Sequence, residues 1–321
     1  MRKIAVLTSG GDAPGMNACI RAAVRTALDQ GLEVLGIQRG YAGLMEGDME
    51  PLSARSVGGI SHKGGTFLET SRPPEFKTEE GQYAALSQLD QREIEGLVII
   101  GGDGSLTGAL KLHQLGFSVI GVPATIDNDV AFTDVAVGVD TALNTVLDAI
   151  DKIKDTASSH QRAFLVEVMG KDSGYLALMG GIAGAAEAIV IPEVETSCEE
   201  LAERVKDAYV RGKAHFIALV AEGAKPDTQT LAQHLSGREL GFEVRVTILG
   251  HVQRGGSPTA FDRLLATRLG AAAVQQLTKG QKGKMVGLIG NKVVATDLEK
   301  VLATRKSVDL EFYRLAQMLE R

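Results

Sequence analysis

Residues able to do chemistry gather in three glycine- or proline-flanked segments. Pro123-Ala-Thr-Ile-Asp-Asn-Asp129 sets two carboxylates two positions apart behind a hydroxyl. Phosphoryl transfer needs a base for the attacking hydroxyl's proton and anchors that hold the nucleophile in line. Asp127 reads as that base, Asp129 as a supporting carboxylate, and Thr125 as a hydrogen-bond partner for a sugar or phosphoryl oxygen. In Gly101-Gly102-Asp103-Gly104-Ser105 an acid sits inside a turn suited to phosphate. A carboxylate beside phosphates repels them unless a divalent cation lies between, so Asp103 reads as a Mg²⁺ partner. Thr8-Ser-Gly-Gly-Asp-Ala-Pro-Gly-Met-Asn17 reads as a phosphate cradle. Its glycines, Gly11 included, let the backbone approach phosphate oxygens at a helix start, although no Gly-Lys-Ser/Thr follows to make it a P-loop. The plain alternatives are tight turns and Asx turns.

Basic residues supply the remaining signals: Arg72 in Thr70-Ser-Arg-Pro-Pro-Glu-Phe76, His160-Gln-Arg162, Arg245, and Gly250-His-Val-Gln-Arg-Gly-Gly256. Any one is accounted for by a surface ion pair; together they suit a phosphorylated sugar through charge-assisted contacts. The net charge of −6 leaves no general basic field for nucleic acid or an anionic membrane surface. Local clusters must therefore capture an anionic substrate. The two cysteines, Cys19 and Cys198, have no metal or redox spacing and read as buried thiols of a reducing compartment. The apolar run Ile4 to Leu7 is far too short for a signal-peptide core, and no run approaches a membrane span. The expectation is a cytoplasmic protein.

The elements that must position these residues follow from hydrophobic patterning. Ile4–Leu7, Val34–Ile37, Leu97–Ile100, Val119–Val122, Phe164–Val168, Ala188–Ile191, Phe216–Val220, Val244–Leu249 and Met285–Ile289 read as buried strands. Helix-like stretches alternate with them. Ser197 with Glu200 and Thr296 with Glu299 fit capping boxes, Ser257-Pro258 places proline at a first helical position, and Gly31 and Gly116 fit helix stops. The fold class is α/β: doubly wound, mainly parallel sheets covered by helices on both faces. A length of 321 residues fits two compact units better than one core, although no obvious linker marks the border. Many of the 38 glycines lie just after a predicted strand, where doubly wound sheets bind ligands.

In this order the motifs resemble the ATP-dependent 6-phosphofructokinase family of bacterial type, over essentially the whole chain. The resemblance implies transfer of the γ-phosphoryl group of ATP to the 1-hydroxyl of fructose 6-phosphate, the committed step of glycolysis. It implies two similar α/β domains, 1–138 plus 256–304 for ATP and Mg²⁺ and 139–255 plus 305–321 for sugar phosphate. It further implies a homotetramer with active sites shared between subunits. Gly11, Arg72, Pro73, Gly102, Asp103, Gly104 and Ser105 would attend ATP and Mg²⁺, while Thr125, Asp127 and Asp129 perform or support transfer. Met169, Gly170, Glu222, His251 and Arg254 match sugar-phosphate contacts, and Arg162 and Arg245 match arginines that reach the 6-phosphate from a neighbouring subunit. In the active site, Lys171 stands where the family usually has Arg, and Ala124 where it usually has Gly.

Positions matching Arg21, Arg25, Glu187, Arg211, Lys213 and His215 belong in the family to an effector pocket for ADP or phosphoenolpyruvate. Here Ala54, Gly59, Lys154, Ala185 and Ala214 replace the usual Arg, Asp, Arg, Gly and Lys, so weakened effector control is expected. Three rival readings remain. Pyrophosphate-dependent members carry Asp at the place of Gly104 and Lys at the place of Ala124. NAD and lipid kinases share the Gly-Gly-Asp-Gly turn; the segments around Thr125–Asp129 and His251–Arg254 favour the sugar kinase. A non-catalytic nucleotide sensor predicts loss of Arg72, Asp103 and Asp127, all present.

Overall fold

The computed structural model describes residues 1–319, so the last two positions of the 305–321 segment lie outside the described residues. In chain order the strands and helices begin with β1 (Lys3–Ser9), α1 (Met16–Asp29), β2 (Glu33–Ile37), α2 (Gly40–Glu46), β3 (Met49–Pro51), α3 (Glu79–Gln91), β4 (Gly96–Gly101), α4 (Asp103–Gln114) and β5 (Val119–Pro123). Then follow α5 (Val139–His160), β6 (Arg162–Val168), α6 (Tyr175–Ala183), β7 (Ala188–Val190), α7 (Cys198–Val210), β8 (Phe216–Ala221), α8 (Thr228–Ser236) and β9 (Glu243–Ile248). The chain closes with α9 (Ala260–Thr278), β10 (Lys284–Ile289), β11 (Lys292–Asp297), α10 (Leu298–Ala303) and α11 (Leu310–Leu319).

Two compact units result. The first comprises Met1–Thr125, Asp129–Thr141 and Arg254–Lys306; the second comprises Ile126–Asn128, Ala142–Gln253 and Ser307–Arg321. The first holds a seven-stranded sheet in the order β11-β10-β5-β4-β1-β2-β3, and the second a four-stranded sheet in the order β7-β8-β6-β9. All nine predicted strands form. β1, β2, β4 and β5 pair in parallel, as do β6, β7, β8 and β9. β4 is buried throughout and β8 likewise, as their unbroken apolar runs require.

Patterning missed β3 and β11, which pair antiparallel at the two ends of the first sheet. β3 is three residues long and ends in Pro51, a residue that an edge strand tolerates. β11 is half-buried through its middle, so it offers no continuous apolar run. β9 corrects the buried-strand reading: Glu243, Arg245 and Ile248 are exposed because the strand lies at an edge and pairs with β6.

Helix ends follow the sequence in part. Ser197 accepts from Glu200 N at 3.1 Å to cap α7, and Gly31 and Gly116, at φ 75° and 95°, lie just past α1 and α4. Thr296 is no cap: it lies in β11, and Asp297 precedes α10. Pro258 likewise stays outside α9, whose cap is Thr259 accepting from Asp262 N at 3.2 Å. Cys19 is buried, where desolvation raises its thiol pKa, whereas Cys198 is half-buried, not buried.

A buried carboxylate joins the start of α5 to the start of α9. Asp262 is wholly buried; its Oδ1 accepts from Gly138 N at 2.9 Å, and its Oδ2 from Thr141 N and Oγ1 at 2.8 and 2.6 Å. Thr259 reciprocates, its N–H donating to Thr141 Oγ1 at 3.0 Å and its hydroxyl to Asp140 Oδ2 at 2.6 Å. Burial raises the Asp262 pKa while these hydrogen bonds oppose the rise. Asp262→Ala should strand two buried N–H groups and cost about 2–4 kcal/mol. A denaturant midpoint equal to that of the parent would contradict this role.

Candidate active site

In the first sheet the chain places β2 on one side of β1 and β4 on the other, so the strand order reverses between β1 and β4. Ligands bind such sheets beyond the carboxyl ends of the strands at that reversal. The loops found there are the predicted ones, Gly10-Gly11 after β1 and Gly102 to Ser105 after β4. Side chains cap α3, α7, α8 and α9, but none caps α1 or α4. Their first-turn N–H groups thus retain donors for an anion.

Gly11 is the centre of this arrangement. A Cβ there would overlap the Arg254 guanidinium and lie 3.1 Å from Arg72 Nη2. Two cations thus converge where a side chain is missing. Thr70 Oγ1 donates to Gly10 O at 2.9 Å, which pins the segment carrying Arg72 and Pro73 to the first loop. Arg254 makes a long 3.4 Å contact to Asp12 O. Among the described residues neither Arg72 nor Arg254 is in an ion pair.

The second loop adjoins the first and the third. A Cβ at Gly10 would lie 3.0 Å from Ser105 Oγ, and one at Gly102 would lie 3.3 Å from Thr125 Cβ. Gly104 meets nothing within 4 Å and is exposed. Asp103 opens α4 and is exposed beside that space. Among the described residues no group of three or more His, Cys, Asp or Glu forms a metal cage. A single carboxylate fits Mg²⁺, which keeps waters and shares substrate phosphates. Thr125 and Asp129 belong to the first unit and are half-buried, with Asp127 between them in sequence and Asn128 at φ 51°. Ala124 is fully buried and does not have positive φ, so its methyl group is accommodated as core.

In the second unit, residues at the carboxyl ends of parallel strands come together. Lys171, at φ 54°, donates its N–H to Glu222 Oε1 at 2.8 Å. Gln253 Oε1 accepts from Met169 N at 3.2 Å, and its amide donates to Gly250 O at 3.0 Å, tying Met169 and Gly170 to the turn bearing His251. Arg162 and Arg245 do not join them. Arg162 opens β6, whose seven residues separate it by about 20 Å from the Val168 end. Both arginines pair with Glu243, Arg162 Nε at 2.8 Å.

The predicted effector residues divide. Arg21 and Arg25 lie on α1 in the first unit, Arg25 reaching Ala54 O at 3.4 Å. Glu187, Arg211 and Lys213 line a cavity of about 210 Å³ in the second, with Arg204, Asp207 and Gln317. Its charges answer one another: Lys213 with Glu187 at 3.3 Å, Arg211 with Asp207 at 2.8 Å, and Arg204 Nη2 with Glu187 O at 2.7 Å. His215 Nδ1 lies 2.8 Å from Ser158 Oγ, and Lys154 donates to Gly184 O and Ala185 O at the end of α6.

Sequence reasoning missed Tyr41, Gln253 and Arg204. Tyr41 stacks on Phe76 with ring centres 3.9 Å apart, and its hydroxyl donates to Ser105 O at 2.6 Å, supporting the second loop from beneath. The tyrosine is buried, which raises its pKa.

Residues 3–277 match the family described as Phosphofructokinase. The chain belongs to the phosphofructokinase family. It is 57% identical over 320 residues to an ATP-dependent 6-phosphofructokinase of Thermotoga neapolitana, covering 99% of this chain and 100% of that one. It is 54% identical over 319 residues to the ATP-dependent 6-phosphofructokinase of Halalkalibacterium halodurans, covering 99% of each. Among solved structures, a phosphofructokinase from Saccharomyces cerevisiae aligns with TM-score 0.87 at 36% identity, over 100% of this chain and 47% of that chain. A pyrophosphate-dependent phosphofructokinase from Marinobacter aquaeolei shares the fold, with TM-score 0.85 at 23% identity over 97% of this chain and 86% of that one. No helix among the described residues is long and apolar enough to cross a membrane.

The Gly11 geometry yields a test. Gly11→Ala should leave the melting temperature nearly unchanged, because the overlapping atoms end a flexible arginine. Displacing that guanidinium should lower turnover about tenfold to a hundredfold. Parental kinetics would remove Gly11 from the site.

Proposed function

We infer that this chain transfers the γ-phosphoryl group of ATP to the 1-hydroxyl of fructose 6-phosphate, giving fructose 1,6-bisphosphate in glycolysis. The observation that carries this reading is the pair of guanidinium groups, Arg72 and Arg254, meeting over Gly11 without a carboxylate partner. Cations kept from internal ion pairs beside the loop between β1 and α1 suit a multiply charged phosphate ligand. ATP rather than pyrophosphate is supported by Gly104. Neither packing nor backbone conformation demands glycine there, so its smallness leaves room for a group from outside the chain.

In the proposed mechanism Asp127 accepts the 1-hydroxyl proton as the sugar oxygen bonds to the γ-phosphorus. The bridging oxygen departs with its electron pair as ADP. Thr125 holds an oxygen by hydrogen bond, Asp129 supports the base, and Arg72 neutralises charge developing on the transferred group. Gly11, Pro73, Gly102, Gly104 and Ser105 line the nucleotide side, and Asp103 would hold a Mg²⁺ that spreads the phosphate charge. Met169, Gly170, Glu222, His251 and Arg254 hold the sugar phosphate, and Lys171 joins Gly11, Arg72, Thr125, Asp127 and Asp129 among the catalytic residues. We assign nucleotide binding to the first unit, expected as 1–138 with 256–304, and sugar-phosphate binding to the second, expected as 139–255 with 305–321; the observed borders fall instead at Thr141, Arg254 and Lys306. We propose a homotetramer in which Arg162 and Arg245, held by Glu243 away from the Met169–Glu222 cluster, serve a neighbour's 6-phosphate. A cytoplasmic location suits the substrates.

A coupled assay of ATP against pyrophosphate with fructose 6-phosphate tests the reading, and turnover with pyrophosphate alone would overturn it. Asp127→Ser should lower kcat on the order of a hundredfold to ten-thousandfold with KM little moved. A kcat within about threefold of the parent would clear Asp127 of the role.

The effector pocket is proposed to be self-neutralised. ADP or phosphoenolpyruvate would have to displace Glu187 and Asp207 from Lys213 and Arg211. A ligand shifts a conformational equilibrium only through differential affinity, so weak binding gives weak control. Fructose 6-phosphate saturation should therefore change little as either effector is added. Strong phosphoenolpyruvate inhibition abolished by Arg211→Ala would contradict this.

A further inference from the structure

Lys306 is the last residue of the first unit's final segment. Its side chain turns onto the loop that follows Asp129, where Nζ donates to Thr133 O at 2.7 Å and Asp134 O at 3.0 Å. The carboxylates of Asp129 and Asp134 both bear on this ammonium. Lys300, 4.9 Å above the Phe132 ring, is a further cation against the same turn.

The loop is anchored at two places. Near its ends, Thr125 N donates to Val137 O and Val137 N to Pro123 O, each at 3.0 Å. At its far turn, Asp134 N donates to Leu288 O at 2.7 Å, Leu288 N to Thr133 Oγ1 at 3.1 Å, and Gly290 N to Asp134 Oδ2 at 2.7 Å. Phe132 there sits at φ 58°, a left-handed conformation that costs energy and persists only where the surroundings enforce it. Thr125 and Asp129 lie between the two anchors or beside them.

Building on the proposed function, we infer that Lys306 is a positioning residue for phosphoryl transfer. Its ammonium clasps the Thr133–Asp134 turn and offsets the Asp129 charge, fixing where Asp129 presents its carboxylate. Two carbonyl oxygens are acceptors of the kind an ammonium demands when partly buried.

The charge is removable. Burial lowers the Lys306 pKa to about 8, against the opposing pull of Asp134 and Asp129. In the folded chain the proton leaves as pH rises through that value. The sign separates function from stability. A lysine whose folded pKa lies below its ordinary 10.5 makes the fold more stable, not less, as pH rises from about 8. Loss of turnover over that window is then not unfolding driven by this group.

The experiment measures kcat, KM for fructose 6-phosphate and melting temperature across pH 6.5 to 9.5 for the parent, Lys306→Met and Lys306→Arg. The parent kcat should fall above about pH 8 with KM nearly constant. Lys306→Met should lose about tenfold or more of kcat at pH 7, and Lys306→Arg, whose charge persists, should recover most of it and move the alkaline limb up by about one pH unit or more. Should Lys306→Met fail to fold, the parent and Lys306→Arg decide the matter through that limb. An unmoved limb in Lys306→Arg, or a Lys306→Met kcat within about twofold of the parent throughout, overturns the role. An inactive parent overturns the proposed function as well, whereas an active parent with an unmoved limb overturns the Lys306 role alone.

Discussion

The Asp262 carboxylate joins segments 121 residues apart, and the first unit depends on that join. The chain leaves this unit after Thr141 and returns at Arg254, so the hydrogen bonds among Gly138, Thr141, Thr259 and Asp262 fasten departure to return. A buried charge is tolerated only where donors satisfy it, and here the donors are themselves the first-turn groups of a helix. α9, set by this clamp, packs on α1 and β5. α1 in turn follows the Gly11 loop. The loop proposed as a phosphate cradle thus rests on a carboxylate outside the proposed site.

The cations proposed to meet ligands fall into two kinds. Arg162, Arg211, Lys213 and Arg245 are held by carboxylates of the same unit. Exposed pairs of this sort contribute little stability, but they set the cost of capturing an anion, since each must first release its partner. Arg72 and Arg254 carry no such obligation. The difference separates guanidinium groups outside any ion pair from cations already neutralised within the chain.

Legibility in the sequence followed the length over which a signal acts. Strands such as β4 and β8 announced themselves because burial on both faces writes an unbroken apolar run. β11 did not, since a half-buried edge strand writes a mixed pattern, although Gly290-Asn291 before it is a hairpin signal. Thr296 satisfied a capping pattern and was claimed by a strand instead, a tertiary override of a local preference. In the candidate site, Gly11 and Asp103 stood out because glycine and acid just after a strand are local marks. Tyr41, Gln253 and Lys306 did not: their partners lie 64, 84 and 173 residues away. No spacing rule connects residues whose meeting is decided by the fold.

The division of the chain between two units also governs the order in which either can be finished. β10 pairs with β5 through Lys284 and Ile120, so the seven-stranded sheet stays open until nearly the whole polypeptide has left the ribosome. The four-stranded sheet, by contrast, is complete once β9 has emerged. Synthesis from the amino end thus exposes the β5 edge, with its apolar residues, for the time taken to make everything between. Long-range pairing of this kind slows folding and leaves strand edges open to aggregation.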